Sequence, residues 1–594
     1  MTRSPARAAR DLLERYGPTV ALVVALGVLT AAIPTDEGTG RRIAPDAAGE
    51  VQATDGSAAP SATPGGPGGA AGTGTGTGQP GDEASGGAPG VQGASGEDCR
   101  ADGRMRGISH YMPPCVPLFT GDNGGATARG VDADSVTVAF WSPQSDPVTS
   151  SLVAAAGVAD RPEDVRRGFD VLVEYFNQHY ETYGRKIEVV YVTASGATTD
   201  DQAMRADVVH IAKDIGAFAV VALGEPQSFD EEAVEQGLIC IPCGLSPPQA
   251  FYDRARGYAF GGYPPNEVYY RHMAEYIGKR LAGADAQWAG DEDMRTEPRK
   301  FGLIWIENNP SAPGSPPDPD RKAGVDLYKR ELARYGVELA ADVSYVFDLS
   351  RVQEQATNVI AQMKVAGVSN LAIVGDPASP IFFTKEATRQ QYFPEWFITG
   401  NFVTDNVVLG RLYDQTQWQH AFGIGFLFTL PTHFDQSLGY LEYKTTDPAG
   451  EVPSSIATLR QPVETLFTGI HMAGPELTTA SFARGMYAYP PSGGVFSSWL
   501  TFFTPEDPTS VKDFKELWWS ATEQGEDEYG NAGTGMIMNA DGGRRYRLGE
   551  WPSTPPRAFD PEGAITSADD PYFRAQYDDE QQRPVADRPC RSCA

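Results

Sequence analysis

The six cysteines are the residues of this sequence whose spacing most directly suggests chemistry. They fall into three close pairs, Cys99 with Cys115, Cys240 with Cys243, and Cys590 with Cys593. An even number of cysteines in an exported chain predicts short-loop disulfides. Two alternatives stay open for the Cys-x-x-Cys spacing, a redox dithiol and a zinc site built from two such pairs. We favour disulfides, because a loop sequence (244–248) follows the second pair, whereas a redox pair needs a helix N-terminus to lower its thiol pKa.

The motifs that identify enzymes by residue spacing are missing from the sequence. It contains no GxxxxGK[ST] phosphate loop, no HExxH zinc helix and no GxSxG nucleophile elbow after a strand. The seven histidines are not spaced as metal ligands of one another; they are His110, His179, His210, His272, His420, His433 and His471. We therefore predict no cofactor, no metal and no catalytic residue. A hydrolase whose site is assembled from distant residues stays open as an alternative.

The charge balance excludes one class of partner. The chain has 594 residues, of which 48 are Lys or Arg and 78 are Asp or Glu, so its formal net charge is −30. So acidic a chain is repelled by nucleic acid and by anionic lipid headgroups. We exclude nucleic acid as a partner and interpret the acidity as a contribution to solubility.

The N-terminus has the pattern of an export segment. A basic stretch (1–17) precedes an apolar run (18–33), and the basic residues are Arg3, Arg7, Arg10 and Arg15. This order predicts a cytoplasmic N-terminus followed by a signal peptide or an uncleaved membrane anchor, and both stay open. No cysteine follows the run, so a lipid anchor is not predicted.

Two flanking regions have compositions typical of flexible chain. Residues 34–133 are dominated by Gly, Ala, Thr, Pro, Ser and Asp, and residues 552–594 by Pro, Asp, Gln and Arg. Such segments have too little apolar surface to offset the entropy lost on ordering. We expect a disordered linker before the folded part and a disordered tail after it.

Between these flanks, apolar strands alternate with amphipathic helices in two successive blocks, 134–283 and 284–444. The first strand is Ser135–Ser142 and the first helix spans 161–180. Repeated strand–helix alternation predicts an α/β fold with parallel sheets covered by helices on both faces. We therefore predict two Rossmann-like lobes joined by a hinge. In residues 445–551, helices are predicted at 454–472 and 478–487, and the lobe that receives the later strands is ambiguous from pattern alone.

The loops that follow the predicted strands supply the candidate binding residues, since ligands of open parallel sheets bind at the carboxyl ends of the strands. Gly permits close backbone approach, Ser and Asn offer hydrogen bonds, acids suit an ammonium group, and aromatic rings form a wall. This mixture predicts a cleft for a small polar solute. The candidates are Ser142, Gln144, Gly224, Glu225, Ser246, Phe260, Glu307, Asn308, Asp376 and Asn401.

Several phrases resemble a known family. They are Gly130-Val-Asp-Ala-Asp-Ser-Val136 before the first strand, the Gly224 and Ser246 loops, the Phe260-Gly261 step, and the helix start at 477–482. Over roughly 134–505 the sequence resembles the type I periplasmic solute-binding proteins, in the leucine/isoleucine/valine-binding-like branch of ABC-transporter receptors. The segment 115–127 is similar to the leader of actinobacterial members that carry a cysteine pair there.

The resemblance implies that residues 445–551 return to the first lobe, with a C-terminal extension, and that the lobes close over the solute by a hinge. It also implies that Ser246 and the Gly224 loop bind a solute carboxylate and that Asp376 or Glu307 binds an ammonium group. The sequence departs from the family at 307–310, where no tyrosine follows the strand, and in the Pro-rich insertion 310–319. These departures leave amino-acid specificity open.

The expected function is that of an extracytoplasmic receptor for a small solute, with an ABC permease as partner and contact with the membrane through the N-terminal segment. A tethered sensor of the same fold without a permease stays open as an alternative, as does an exported hydrolase. Fold-level resemblance alone does not separate these functions.

Overall fold

The computed structural model of the chain describes residues 103–105, 112–144, 160–244, 246–309, 314–348 and 351–567. The predicted export segment, the linker as far as residue 102, Cys99, and the Cys590–Cys593 pair lie outside these residues. Among the described helices, none combines the length and the apolarity that a membrane crossing requires.

The first lobe is built on a sheet of four parallel strands in the order β2-β1-β3-β4. Its strands are β1 Ser135–Ser142, β2 Lys186–Thr193, β3 Ala219–Ala222 and β4 Ile239–Ile241. Every residue of β3 and β4 is buried, as expected for parallel strands covered on both faces. The helices between and after them are α1 Pro162–His179, α2 Asp201–His210, α3 Gln227–Glu235 and α4 Gln249–Arg254.

The helix starts of this lobe follow local sequence signals. Pro162 occupies the first helical position of α1, where its missing N–H costs nothing. The Asp200 carboxylate caps α2 by accepting the N–H groups of Gln202 and Ala203, both at 3.1 Å. The observed α1 lies within one residue of the predicted bounds, 161–180, at each end.

The second sheet contains five parallel strands in the order β6-β5-β7-β8-β9. They are β5 Phe301–Ile306, β6 Leu339–Tyr345, β7 Asn370–Val374, β8 Glu395–Ile398 and β9 Ala421–Gly425. The helices of this part are α5 Asn266–Tyr276, α6 Pro319–Ala333, α7 Val352–Val365, α8 Ser379–Arg389, α9 Val407–Gly410 and α10 Gln415–Trp418. The predicted fold class, two α/β lobes with parallel sheets, is confirmed.

Late in the chain, three strands extend the second sheet. They are β10 Asp513–Glu526, which pairs antiparallel with β9, and β11 Ala532–Asn539 and β12 Arg545–Arg547, which pair antiparallel with β10. The strands that the sequence pattern left without a lobe therefore belong to the second one.

The late helices pack on the first lobe instead. They are α11 Leu438–Thr446, α12 Ile456–Ala473 and α13 Thr479–Tyr487. Phe467 of α12 stacks on Phe176 of α1 with ring centroids 5.5 Å apart, and Phe482 of α13 lies 6.1 Å from Phe218. Residues 445–551 thus contribute helices to the first lobe and then strands to the second.

Two segments of the chain that cross between the lobes run side by side. The N–H of Gly261 donates to the carbonyl of Pro508 at 3.0 Å, and the N–H of Ser510 donates to that of Gly261 at 2.9 Å. Immediately after this crossing, α5 packs into the core of the second lobe through Tyr269 and Tyr276.

Three local predictions differ from the structure. The sequence pattern predicts one helix over 405–417, but the structure has two short helices, α9 and α10, because Asn406 and Asp414 each cap a new helix start. The pattern also predicts strands at 258–261 and 499–503, but these residues contribute only isolated bridges. Helices α4 and α11 and the long strand β10 are not predicted from the pattern.

Parts of both flanking regions join the packed body. In the N-terminal flank, Val131 is buried, and the Asn123 side-chain amide donates to the carbonyl of Tyr183 at 2.9 Å. In the C-terminal flank, the Phe559 ring lies 5.2 Å from that of Trp518. Composition alone does not show these contacts, because they are made by a few apolar residues among many polar ones.

Candidate functional site

The topology brings the loops after the strands to one edge of each sheet. In the first lobe, parallel strands β1, β3 and β4 end at Ser142, at the Gly224–Glu225 loop and at the loop that carries Ser246. In the second lobe, the corresponding edge carries the loops after β5, β7, β8 and β9. Ligands of open parallel sheets bind at such edges.

Ser246 is a first-lobe residue that contacts the second lobe. Its hydroxyl donates to that of Tyr269 on α5 over 3.3 Å, and its side chain is buried. Its φ of +61° lies in the left-handed region, which non-glycine residues rarely adopt. The loop is held in place by the N–H of Gly244, which donates to the Glu225 carboxylate at 2.9 Å. Such conformations persist where the surroundings enforce them, and they cluster at ligand sites.

Asp405 faces this contact from the second lobe. Its Oδ2 accepts the N–H groups of Phe426 at 2.8 Å and Leu427 at 2.9 Å. Its Oδ1 is buried and has no hydrogen-bond partner among the described residues. Burial raises the pKa of Tyr269 well above its usual range and that of Tyr263 to about 12, and the nearby Asp405 charge raises both pKa values further. Asp405 therefore lies close to the Ser246–Tyr269 contact.

The Asp405 carboxyl holds its proton unusually tightly. Burial raises its pKa from 3.8 to about 6, although the N–H of Leu427 and the charge of Lys515 act in the opposite direction. Lys515 on β10 is itself buried, which lowers its pKa well below the ordinary value, and its Nζ lies 3.1 Å from Thr429 Oγ1. A buried carboxyl whose second oxygen has no partner among the described residues suits recognition of a cationic group once it is ionised, above about pH 6.

The loop that leads to Asp405 is strained and also offers free hydrogen-bonding atoms. Asn401 is fully buried, and within the described part of the chain neither its Oδ1 nor its Nδ2 has a partner. Phe402 and Val403 follow at φ +47° and +54°, and a β-branched residue such as Val403 is a true outlier there. Each lobe thus presents a strained loop, and this one adds two unpartnered polar atoms.

Further buried polar atoms near these loops lack partners among the residues that the structure describes. They are Ser142 Oγ and Ser228 Oγ in the first lobe and Asn266 Oδ1 at the start of α5. Asn266 lies beside the Ser246 loop, because its N–H donates to the Pro247 carbonyl at 3.4 Å. Each of these atoms could form a hydrogen bond to a bound solute.

Aromatic rings line the junction between the lobes. Phe426 lies 5.5 Å from Tyr263, 5.9 Å from Tyr269 and 6.0 Å from Trp499, measured between ring centroids. Tyr263 belongs to the crossing segment and Trp499 to the late loop region. These rings would provide the apolar wall of a solute site.

Arg321 adds a positive group on the second-lobe side. Its guanidinium lies 5.3 Å from the centroid of the Phe402 ring. Its Nε is 3.7 Å from the Asp318 carboxylate and makes no hydrogen bond to any described residue. Burial lowers its pKa, but an arginine remains charged at neutral pH. The side chain could therefore bind an anionic group.

The two acids that were candidates for binding ammonium are engaged within the second lobe. Asp376 Oδ1 accepts the N–H groups of Ala378 and Ser379, and its Oδ2 accepts the hydroxyls of Ser379 and Tyr345, at 2.6 to 2.9 Å. Glu307 accepts the Ser344 hydroxyl at 2.5 Å. Both oxygens of Asp376 therefore stabilise the start of α8, whereas Asp405 Oδ1 has no partner among the described residues.

The remaining candidates divide by what they contact. The Asn308 amide bridges the N–H and carbonyl of Phe347, and Phe260 packs in the first-lobe core 5.5 Å from Phe482. Gln144 is exposed and donates to the Ala194 carbonyl at 3.0 Å. Gly224 adopts φ +79°, which suits a tight turn.

Sequence reasoning missed Asp405 because it was placed at the start of a predicted helix. The usable signal was the phrase Gly400–Asn406, in which Asn406 is a helix cap, so the residues before it form a loop after strand β8. Arg321 was missed because it lies on α6, outside the loops that were searched.

Comparisons with known proteins gave structural matches alone. No family model and no curated protein matches the sequence. The structure is similar to the branched-chain amino acid transporter substrate-binding protein LivJ from Streptococcus pneumoniae, in complex with isoleucine, at 14% identity and a TM-score of 0.44, covering 68% of this chain and 100% of that one.

Two further similar structures are ABC-transporter proteins. One is a substrate-binding protein from Sphaerobacter thermophilus, at 12% identity and a TM-score of 0.47, covering 71% of this chain and 100% of that one. The other is a solute-binding protein from Rhodopseudomonas palustris, in complex with 3,4-dihydroxybenzoic acid, at 11% identity and a TM-score of 0.46, covering 69% of this chain and 97% of that one. At such identities, function must be inferred from the site itself.

Proposed function

We propose that this chain is an extracytoplasmic receptor that captures a small polar solute between its two lobes and passes it to an ABC permease without chemical change. The observation that carries the proposal is Asp405 Oδ1, which has no hydrogen-bond partner among the described residues and is buried near the Ser246–Tyr269 contact between the lobes. An unsatisfied buried polar atom costs about 1–3 kcal/mol. A solute that completes these hydrogen bonds recovers that free energy, and it does so only when both lobes surround it.

The chemistry of the site favours an amino-acid-like solute. Asp405 supplies an acceptor for an ammonium group, and the Ser246 hydroxyl and the Asn401 amide supply neutral hydrogen bonds. The ring of Phe426 provides apolar contact for a side chain. Arg321 would hold a carboxylate through charge-assisted hydrogen bonds.

Binding without catalysis is supported by the surroundings of the Ser246 hydroxyl, which lies between the lobes. Ser246 Oγ contacts the phenol of Tyr269, whose pKa burial raises well above its ordinary value. A protonated phenol is not a general base, so it cannot activate Ser246 for attack. A nucleophile needs an adjacent base that is itself oriented by a third group.

The proposed location outside the cytoplasm rests on the N-terminal sequence and on Cys240 and Cys243, whose sulfur atoms are bonded in the structure. Disulfides persist in oxidising compartments and are rare in the cytosol. The receptor would either remain on the membrane through its N-terminal segment or be released by cleavage there.

A thermal-shift screen of the purified protein tests the proposal. The panel contains zwitterionic and cationic amino acids and aromatic carboxylic acids, and each solute is recovered afterwards and analysed by mass spectrometry. We expect one class to raise the Tm by about 5 °C or more at a hundredfold excess over its Kd, and to be recovered unchanged. Chemical conversion of a solute, or no shift across the whole panel, would contradict the receptor function.

A further inference from the structure

The Cys240–Cys243 pair lies at the end of β4 beside a buried carboxyl group. Both cysteines are fully buried, and the disulfide joins residues whose Cα atoms are 5.2 Å apart. Asp230, on the first turn of α3, is 2% exposed. Its Oδ1 lies 3.5 Å from Cys240 Sγ and 3.6 Å from Cys243 Sγ. One oxygen atom therefore contacts both sulfurs.

The disulfide form does not satisfy Asp230. Bonded sulfurs carry no hydrogen, so they cannot donate to the carboxylate, whereas two thiols could. No N–H or O–H donor to Asp230 is recorded among the described residues. Asp230 forms no ion pair among the described residues, and Arg205 pairs with its neighbours Glu231 and Glu232 instead.

The distances from the Asp230 oxygen to the two sulfurs match those of a metal site. In a tetrahedral zinc site, Zn–S bonds of about 2.3 Å and Zn–O bonds of about 2.0 Å place oxygen and sulfur about 3.5 Å apart. The two observed O···S distances are 3.5 and 3.6 Å. Ligand atoms of Asp230, Cys240 and Cys243 all lie within 4.8 Å of one another. The Cys-x-x-Cys spacing is also typical of zinc sites.

We propose that, when the disulfide is reduced, Cys240, Cys243 and Asp230 bind a single Zn²⁺ ion, so that this corner of the first lobe exists in a disulfide form and a metal form. Two molecules of a thiol reductant cleave the S–S bond, transfer one hydrogen to each sulfur, and leave as their own disulfide. The Zn²⁺ ion then displaces the two thiol protons into solvent and binds two thiolates and one carboxylate. The redox potential of the surrounding compartment determines which of the two forms predominates.

The metal form gives the Asp230 carboxylate a positively charged partner. A dication bound to two thiolates and one carboxylate leaves a net charge of −1, which equals that of the disulfide form with an ionised Asp230. Burial of carboxylates is tolerated when they are paired or coordinate a metal. Three protein ligands leave a fourth coordination position for water or a second carboxylate.

Metal titration of the reduced protein tests this inference. The full chain is reduced with a phosphine, desalted in the absence of oxygen, and titrated with Co²⁺ and Zn²⁺. In the reduction, one water molecule gives its oxygen atom to the phosphine, which becomes a phosphine oxide, and its two hydrogens to the two cysteine sulfurs. Substitutions Cys590→Ser and Cys593→Ser remove the other Cys-x-x-Cys pair. We expect one ion per chain, a thiolate-to-cobalt charge-transfer band, and no binding by the oxidised protein.

Two variants locate the ion. Asp230→Asn should weaken Zn²⁺ binding at least tenfold, while Glu231→Gln, a neighbouring acid that pairs with Arg205, should leave it within twofold. Cys243→Ser provides a second test of the site, and it should abolish the cobalt band even if Asp230→Asn folds poorly. Absence of metal uptake by the reduced chain would overturn the inference, as would equal affinity in the Asp230→Asn variant.

The same preparations separate this inference from solute capture, on which it does not depend. Solute binding is measured on the oxidised protein, where the metal site does not exist. Failure of metal binding therefore leaves the receptor function untouched, and failure of solute binding leaves the metal result standing.

Discussion

The Ser246 hydroxyl lies 3.3 Å from the hydroxyl of Tyr269, so a loop of the first sheet contacts a helix of the second lobe. The Tyr269 ring packs 5.9 Å from Phe426, whose N–H donates to Asp405. This series of contacts joins a first-lobe hydroxyl to a second-lobe carboxylate. A solute held at both ends would stabilise the closed arrangement of the lobes, as in hinge-closing receptors.

Replacing Ser246 with glycine should distinguish the effect of its backbone strain on stability from the effect of its hydroxyl on solute binding. Glycine adopts φ +61° without penalty, so we expect the Tm of Ser246→Gly to equal or exceed that of the wild type. The lost hydroxyl should weaken solute binding about fivefold, corresponding to about 1 kcal/mol for one hydrogen bond. Ser246→Ala should lose the same affinity but also lower the Tm, because alanine keeps the wild-type strain and loses the hydrogen bond to Tyr269. Unchanged affinity in both variants, measured by calorimetry, would remove Ser246 from the site.

The stability of the solute-free protein should depend on pH through Asp405. Its pKa is about 6 in the folded chain and near 3.8 when unfolded, so between these values the folded state binds more protons. Its contribution to stability is therefore full below about pH 4 and is lost as the pH rises to about 6. The Asp405→Asn variant has no such group, so the difference between its Tm and that of the wild type should increase in favour of the variant as the pH rises from about 4 to about 6. A constant Tm difference from pH 4 to 8 would show that Asp405 is not buried as described.

Solute affinity should change with pH in the opposite direction. An ammonium group is attracted to the ionised form of Asp405, which becomes dominant only above about pH 6. We expect the affinity for a cationic or zwitterionic solute to rise between pH 5 and 7 and then level off, as measured by calorimetry. Affinity that is flat over this range would indicate that another group binds the ammonium.

Asp376 should matter for stability and not for binding. Both of its oxygens accept hydrogen bonds at the start of α8, so Asp376→Asn leaves at least one buried donor without an acceptor. We expect a loss of about 1–3 kcal/mol in the free energy of unfolding, measured by urea denaturation, and solute affinity within twofold of the wild type. A large loss of affinity without loss of stability would restore Asp376 as a ligand-binding residue.

The buried ion pair between Arg299 and Glu395 should be a purely structural element. The Arg299 guanidinium makes two hydrogen bonds to Glu395, at 2.7 and 2.9 Å, and both side chains are almost completely buried. Glu395→Gln leaves a buried cation without its partner, so we expect about 3–5 kcal/mol of destabilisation. The matched surface pair, Lys322 with Asp326, should contribute less than about 1 kcal/mol when Asp326→Asn removes it. Equal effects of the two substitutions in urea denaturation would contradict this description.

The alternation of strands and helices was predictable because each parallel strand is a short, almost continuous apolar run. Strand β10 was missed because Lys515 and Glu516 interrupt its apolar pattern, and both are buried through partners far along the chain, Thr429 and Arg280. Sequence reasoning could not provide those partners.

The sequence predicted which loops form the candidate site, but it did not predict which side chain in those loops is available to bind a solute. Asp376 and Asp405 are both acids that follow second-lobe strands, and nothing in their immediate sequence tells them apart. The difference comes from tertiary structure. Asp376 accepts hydrogen bonds from nearby N–H groups, from the Ser379 hydroxyl and from the Tyr345 hydroxyl. The donors to Asp405 come from the loop after β9 and leave its Oδ1 without a partner among the described residues.

Calorimetric titration of the identified solute into the wild type and into Asp405→Asn tests the central claim most directly. The asparagine oxygen can still accept the N–H groups of Phe426 and Leu427, and the variant carries no charge at position 405, so we expect it to fold at pH 7. The account predicts that its solute affinity falls at least tenfold, which corresponds to about 1.4 kcal/mol. Equal affinity in the two proteins would contradict solute capture by Asp405 between the lobes.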